Sequence, residues 1–212
     1  MITVHSIPGS PFGRAVLATL IEKNAPHRLA PLGPGEAKGP AHLARQPFGR
    51  VPAIDDDGFV LYETQAILRY IDQKFPDPAL TPKDPKAAAR MNQLMGINDW
   101  YFFPKPGVGI VFNRVVAPKF GMPVNEEAVA AAIPEGRKCI GVIADILGDK
   151  PYLAGDALSL ADLHLGPQLD MFAEAPEGAE ILKGTPIPAW LARLNARPSF
   201  QKTTWDALLQ PA

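Results

Sequence analysis

Gln46-Pro47-Phe48-Gly49-Arg50-Val51-Pro52-Ala53-Ile54, continued through Asp57-Gly58-Phe59-Val60-Leu61-Tyr62 to Glu63-Thr64-Gln65-Ala66-Ile67, is the stretch that decides the fold. Its first part reads as a loop entering a strand, and Asp57-Gly58 is a hairpin signal that makes the next apolar run an antiparallel partner. Proline at the start of a strand is tolerated where its missing N–H is not needed, and a cis Val51-Pro52 bond would turn neighbouring backbone groups outward. Groups so turned can pair with an extended peptide as an added strand does. Glu63 and Thr64 stand where strand becomes helix, and the free N–H groups and dipole of a helix start attract a carboxylate.

Outward from this hairpin, Ile2 to Ile7 alternates like a strand, and Pro11 to Asn24 carries Leu17, Leu20 and Ile21 at helical spacing. His27 to Leu32 is a weaker second strand. A Gly- and Pro-rich stretch, Gly33 to Pro40, leads to a short helix around Ala41 to Arg45. After the hairpin, Ile67, Leu68, Ile71 and Phe75 mark a helix stopped by Pro76, so the expected order is βαβαββα. The run Pro76-Asp77-Pro78-Ala79-Leu80-Thr81-Pro82-Lys83-Asp84-Pro85 has the composition of a linker. Beyond it only helical patterns recur: Ala87 to Phe103, Asn125 to Leu147, Leu160 to Ala173, Pro188 to Ala196 and Ser199 to Leu209. Pro134 and Pro167 fall inside two of them and are expected to kink or interrupt them. Ser159-Leu160-Ala161-Asp162 is a capping box, with Leu158 and Leu163 placed for a hydrophobic staple.

The chain has 212 residues and a formal net charge of −1, enough length for a real core and no basic excess for nucleic acid or an anionic membrane. Met1 to Ser6 lacks a basic leader followed by a long apolar run, and no apolar stretch approaches a membrane span, so a cytoplasmic protein is expected. The single cysteine, Cys139, sits in a helical pattern and reads as a buried, inert thiol. His5, His27, His42 and His164 are scattered without ligand spacing, so no metal is expected. No GxGxxG, P-loop or GxSxG nucleophile elbow is present.

Val51-Pro52, a hairpin, then Glu63-Thr64-Gln65-Ala66-Ile67 resembles the glutathione-binding signature of the glutathione transferase family, with Thr64 in place of the usual serine. Similar wording at Ser10 to Arg14, Lys38, Gln46 to Pro52, Tyr152 to Asp162 and Arg197-Pro198-Ser199 is closest to the serine-type, phi-like bacterial branch. The resemblance implies a thioredoxin-like, glutathione-binding domain over 1–78, a linker over 79–86, and an all-helical domain over 87–212 that contributes a hydrophobic acceptor site. Glutathione would be the co-substrate, a hydrophobic electrophile its partner, and the family's tendency to dimerise implies a homodimer.

Ser10-Pro11-Phe12-Gly13-Arg14 sits where the first strand hands over to the first helix. Glutaredoxin-like relatives carry cysteines at the positions of Ser10 and Gly13; their replacement removes dithiol exchange, so the sulfur must come from the ligand. By itself Ser10-Pro11 is an ordinary helix cap with proline at the first helical position. The resemblance implies that Ser10 donates its hydroxyl to the glutathione thiolate, stabilising an anion rather than acting as a base. Ser6 is the fallback hydroxyl, His5 a packed strand histidine, and Arg14 a structural ion-pairing residue. Lys38 is implied as a contact of the glycyl carboxylate; Ala37 replaces the neighbouring family histidine, which would shift that contact towards Lys38 and Arg50. Val51, Pro52, Glu63 and Thr64 complete the implied glutathione contacts, and Gln65 reads as helix surface. Phe12, Tyr101, Phe102 and Phe112 are the candidate acceptor-pocket residues. A non-catalytic scaffold, or a glutathione-dependent isomerase or dehalogenase on the same fold, are the alternatives.

Overall fold

The computed structural model describes residues 1–209, which divide into two compact units: Met1–Thr81 together with the segment from Asn195 onward, and Pro82–Leu194. The first unit is built on a four-stranded sheet of order β2-β1-β3-β4. β1 (Ile2–Ser6) runs parallel to β2 (His27–Pro31) across α1 (Pro11–Glu22), and antiparallel to β3 (Ala53–Asp56). β3 turns into β4 (Phe59–Tyr62), pairing Ala53 with Tyr62 and Asp56 with Phe59. Asp57 and Gly58 both have positive φ, 52° and 94°, as a two-residue hairpin twisted to match its strands requires. A single 3₁₀ turn (Glu36–Lys38) and α2 (Pro40–Leu43) lie between β2 and β3, and α3 (Thr64–Lys74) follows β4. β2 ends on Pro31 at the sheet edge, where a missing donor costs little. Val4, Ala53 and Ile54 of the sheet, Val16, Leu17 and Leu20 of α1, and Ile67, Leu68 and Ile71 of α3 are all buried.

The proline-rich stretch is fastened to this unit. Lys23, buried at the end of α1, pairs with Asp72 of α3 and donates to the Pro78 carbonyl. Asp72 also accepts from the Leu80 N–H at 3.0 Å and the Thr81 hydroxyl at 2.6 Å.

The second unit is helical. α4 (Pro85–Ile97), capped by Asp84, continues into a wider, π-type winding over Asn98–Val116 that carries Pro104 and Pro106. After α5 (Ala117–Lys119) come α6 (Glu126–Leu147), α7 (Leu160–Glu174), α8 (Pro176–Leu182) and α9 (Ile187–Asn195). Phe102 meets Phe172 edge-on at 5.3 Å, and Gly109 lets the π-type segment approach α6: a Cβ there would lie 2.4 Å from that of Ala132. Of the kink or interruption expected at Pro134 and Pro167, the interruption does not occur, since α6 and α7 run through both. Burial of Val129, Ala132, Cys139 and Ile140 in α6, and of most of α7, outweighs a proline penalty of about 3 kcal/mol. The capping box at Ser159 is present, and Asp162 goes beyond it, accepting from Leu153 N, Ser159 N, Ser159 Oγ and Trp190 Nε1 at 2.7–2.8 Å.

The closing segment departs from the expected assignment. Sequence reading puts everything from 87 to 212 in the second domain, but residues from Asn195 cluster with the first unit. The reason lies in its side chains: Phe200 is fully buried, Arg197 forms a two-point bond with Glu22 of α1 at 2.7 and 2.8 Å, and Ser199 donates to the same carboxylate. The expected single helix from Ser199 to Leu209 is two, α10 (Pro198–Gln201) and α11 (Trp205–Leu209). Thr203 turns its hydroxyl back onto the Ser199 carbonyl, and Thr204 accepts from Ala207 N, restarting the helix.

Candidate active site

Ser10 is presented by a tight turn. The chain Ile7-Pro8-Gly9-Ser10 places proline second and glycine third, Gly9 takes φ +87°, and the Ser10 N–H closes the turn on the Ile7 carbonyl at 3.0 Å. Ser10 then caps α1, its Oγ accepting from Gly13 N at 3.3 Å. A hydroxyl has one hydrogen and two lone pairs. Capping occupies a lone pair, and among the described residues the Ser10 hydrogen goes to no acceptor, so one side chain can cap the helix and still donate to an anion at its N-terminus.

The fallback serine sits differently. Ser6 is 1% exposed beneath α1, with Oγ only 2.0 Å from where a Cβ on Gly13 would lie. That contact explains why position 13 is glycine. His5, half-buried on β1, has its pKa lowered from the ordinary value, first by burial and then by the neighbouring Arg45 and His42. Arg14 is buried; its Nη2 donates to the Phe200 carbonyl at 3.3 Å and its guanidinium stacks over the Phe200 ring at 5.3 Å.

The loop before β3 is clamped from beneath. Arg50 N donates to Gln46 Oε1 at 3.0 Å, and the Arg50 carbonyl meets His42 Nε2 at 2.6 Å; Gln46 and His42 are each 1% exposed. Reading the sequence missed His42 as a loop support, since nothing local links positions 42 and 50 before the chain folds back. Gly49, at φ +61°, lies under Lys38, whose Cδ would be 3.0 Å from an added Cβ, so the Lys38 stem runs beside the Arg50 loop. Lys38 and Arg50 are both exposed. The Val51–Pro52 bond is cis, and Ala53 starts β3 immediately after it.

At the far end of the hairpin Glu63 is exposed with φ 69° and ψ 112°, a conformation costly for any residue with a side chain. It opens α3 without a side-chain cap, and Thr64, the first helical residue, is buried. An uncapped first turn leaves N–H donors for an anion. Gln65 is engaged by Arg69, whose Nη1 donates to both its carbonyl and its side chain.

Of the four acceptor-pocket candidates, Phe12 is half-buried on the first turn of α1, two residues after Ser10. Tyr101 and Phe112, on the π-type segment of the second unit, are 61% and 38% exposed. Phe102 is fully enclosed against Phe172, which makes it core rather than pocket surface. Among the described residues no three His, Cys, Asp or Glu side chains gather in a way that could hold a metal ion, and no helix is long and apolar enough to cross a membrane.

Comparison with known proteins is consistent along the chain. Residues 4–79 match the family model for the glutathione S-transferase N-terminal domain and residues 108–198 that for the C-terminal domain. Glutathione S-transferase F6 of Arabidopsis thaliana is 33% identical over 208 residues, covering 95% of this chain and 98% of its own. Glutathione transferase F2 from Populus trichocarpa superposes with a TM-score of 0.88 at 28% identity, covering 99% and 100% of the two chains. Glutathione S-transferase I from maize, solved with an atrazine glutathione conjugate, does so at 0.83 and 28%, covering 99% of each. A thioredoxin-like sheet unit followed by a helical one, with relatives at this identity over nearly its whole length, places the chain in the glutathione S-transferase family.

Proposed function

We propose that this chain is a serine-type, phi-like glutathione transferase that binds glutathione on its first unit and joins the glutathione sulfur to a hydrophobic electrophile. The observation that carries this reading is the Ser10 hydroxyl, whose lone pair takes the Gly13 N–H while its hydrogen is left for an anion at the start of α1. The thiol proton passes to solvent, Ser10 stabilises the thiolate, and the sulfur lone pair forms the new C–S bond. With a haloarene the halide leaves with its bonding pair. Ser10 acts by placing a donor where negative charge sits, and the second substrate by being held close.

The grip follows from charge. Exposed Lys38 and Arg50 suit the glycyl carboxylate, the backbone beside Val51 and Pro52 suits an extended peptide, and the uncapped start of α3 at Thr64 suits the carboxylate at the γ-glutamyl end. Glu63 offers the complement of that residue's ammonium. Pro82–Leu194 would supply the acceptor surface, with Tyr101 and Phe112 as its exposed aromatics. Phe48, 66% exposed beside Tyr62, supports a homodimer, and a lone cysteine buried in α6 suits the cytoplasm. The relatives above are plant proteins; the bacterial placement rests on the motif wording alone.

Binding to immobilised glutathione, measured with conjugation of a chlorinated nitroaromatic for wild type and Ser10→Ala, tests the reading. Retained binding with kcat lowered by about 10²-fold or more is expected for loss of an anion-stabilising donor. Full activity in the variant would reduce Ser10 to a cap, and wild type that neither binds nor conjugates would end the enzymatic reading.

A further inference from the structure

Gly9, the residue before Ser10, is covered by a side chain from the other end of the sequence. A Cβ on Gly9 would lie 2.2, 2.3 and 2.6 Å from Cε3, Cδ2 and Cζ3 of Trp205, so the benzo edge of the indole rests on the Gly9 backbone. Glycine at φ +87° is the freest point of the turn that presents Ser10, having no side chain of its own to restrict it. The indole occupies the space a side chain would fill. Its support is firm: Trp205 opens α11, Thr204 caps that helix, Phe200 is fully buried just upstream, and Arg197 and Ser199 hold Glu22 at the far end of α1. Arg14, one turn after Ser10, is bonded to the Phe200 carbonyl. The closing segment thus touches α1 before its start, at its first turn and at its end.

We infer that Trp205 is a positioning residue for Ser10, holding the Ile7–Ser10 turn so that the hydroxyl meets the glutathione sulfur; this rests on the reading of Ser10 given above. Displacing a group by about 1 Å can cost up to about 10²-fold in rate, and a turn freed at glycine is able to move that far. Trp205 touches no reacting atom in this scheme, so its removal should alter the thiolate and kcat more than the hold on glutathione.

The test compares wild type, Trp205→Ala, Trp205→Phe, Gly9→Ala and the Gly9→Ala/Trp205→Ala pair, each checked for folding by circular dichroism. The readouts are the pKa of bound glutathione, from thiolate absorbance against pH, and kcat and KM for glutathione. Trp205→Ala is expected to lower kcat about tenfold and raise the bound-thiol pKa, with KM changed less than about twofold. Trp205→Phe, which keeps a ring over Gly9, should recover most of kcat. Gly9→Ala should be less damaging when Trp205 is already alanine, because the colliding ring is gone. If Trp205→Ala does not fold, Trp205→Leu, which fills space without a flat ring, replaces it with the same expectation. Unchanged kcat and thiol pKa, strictly additive Gly9 and Trp205 effects, or a rise in KM alone would each overturn the inference while leaving the transferase reading intact. Wild type that fails to bind or conjugate glutathione would overturn both.

Discussion

Asp162 ties Leu153, Ser159 and Trp190 of the second unit to one buried carboxylate, and replacing it by alanine or asparagine tests what those bonds contribute. Its carboxylate is fully buried and takes four donors at 2.7–2.8 Å: Leu153 N and Trp190 Nε1 on Oδ1, Ser159 N and Oγ on Oδ2. Burial pushes its carboxyl up from the ordinary range, while the bonds from Leu153, Ser159 and Trp190 pull it back. Alanine leaves three N–H groups without an acceptor in a site closed to water; the Ser159 hydroxyl can turn, but the amides and indole cannot. At roughly 1–3 kcal/mol for each orphaned donor, less relief from no longer burying a carboxylate, the loss should be about 3–5 kcal/mol. Asparagine keeps an oxygen for Leu153 and Trp190 and places an NH₂ against the Ser159 N–H, orphaning one donor, for a loss of about 1–3 kcal/mol. Urea unfolding followed by far-ultraviolet circular dichroism gives both values. Alanine within about 1 kcal/mol of wild type, or asparagine as damaging as alanine, would refute the account, since unsatisfied donors could then not be the cause.

Lys23 is buried with Asp72, so Lys23→Met should cost about 3–5 kcal/mol by stranding that carboxylate, and adding Asp72→Asn should recover part of it. A single-variant loss below about 0.5 kcal/mol, the size of an ordinary surface change, would contradict this. Asp56 accepts from Lys74 and Tyr70, which hold its carboxyl below the ordinary Asp value of about 3.9. A depressed folded pKa contributes stability that is complete above that value and is lost as pH falls through the folded pKa. The stability difference between wild type and Asp56→Asn should therefore shrink as pH is lowered from about 5 to below about 3; a constant difference across that range would show that the bonds do not depend on charge.

The elements that were legible carry local signals. Ser10-Pro11 at a helix start, Asp57-Gly58 between two apolar runs, and Ser159 to Asp162 before an apolar helix each specify geometry through neighbours a few residues away. The family motif at Val51-Pro52 and Glu63-Thr64 named candidate ligand contacts for the same reason. Pro134 and Pro167 do not interrupt their helices, because a local penalty is outweighed by burial that depends on distant partners. Likewise α8 carries a readable start, Pro176 at its first position followed by Glu177, but is too short to show periodicity.

By itself the sequence determined the order of elements in the sheet unit, the hairpin and the helix caps, all set by dihedral preference and hydrogen bonds along a few residues, while the candidate serine came from the family resemblance. Only the tertiary structure decided what supports that serine. His42 and Gln46 clamping Arg50, Ser6 filling the space at Gly13, Arg14 engaging Phe200 and Trp205 covering Gly9 join residues up to nearly two hundred positions apart. Such contacts leave no periodic or spacing signal, because they arise from which surfaces meet when the chain closes on its own core.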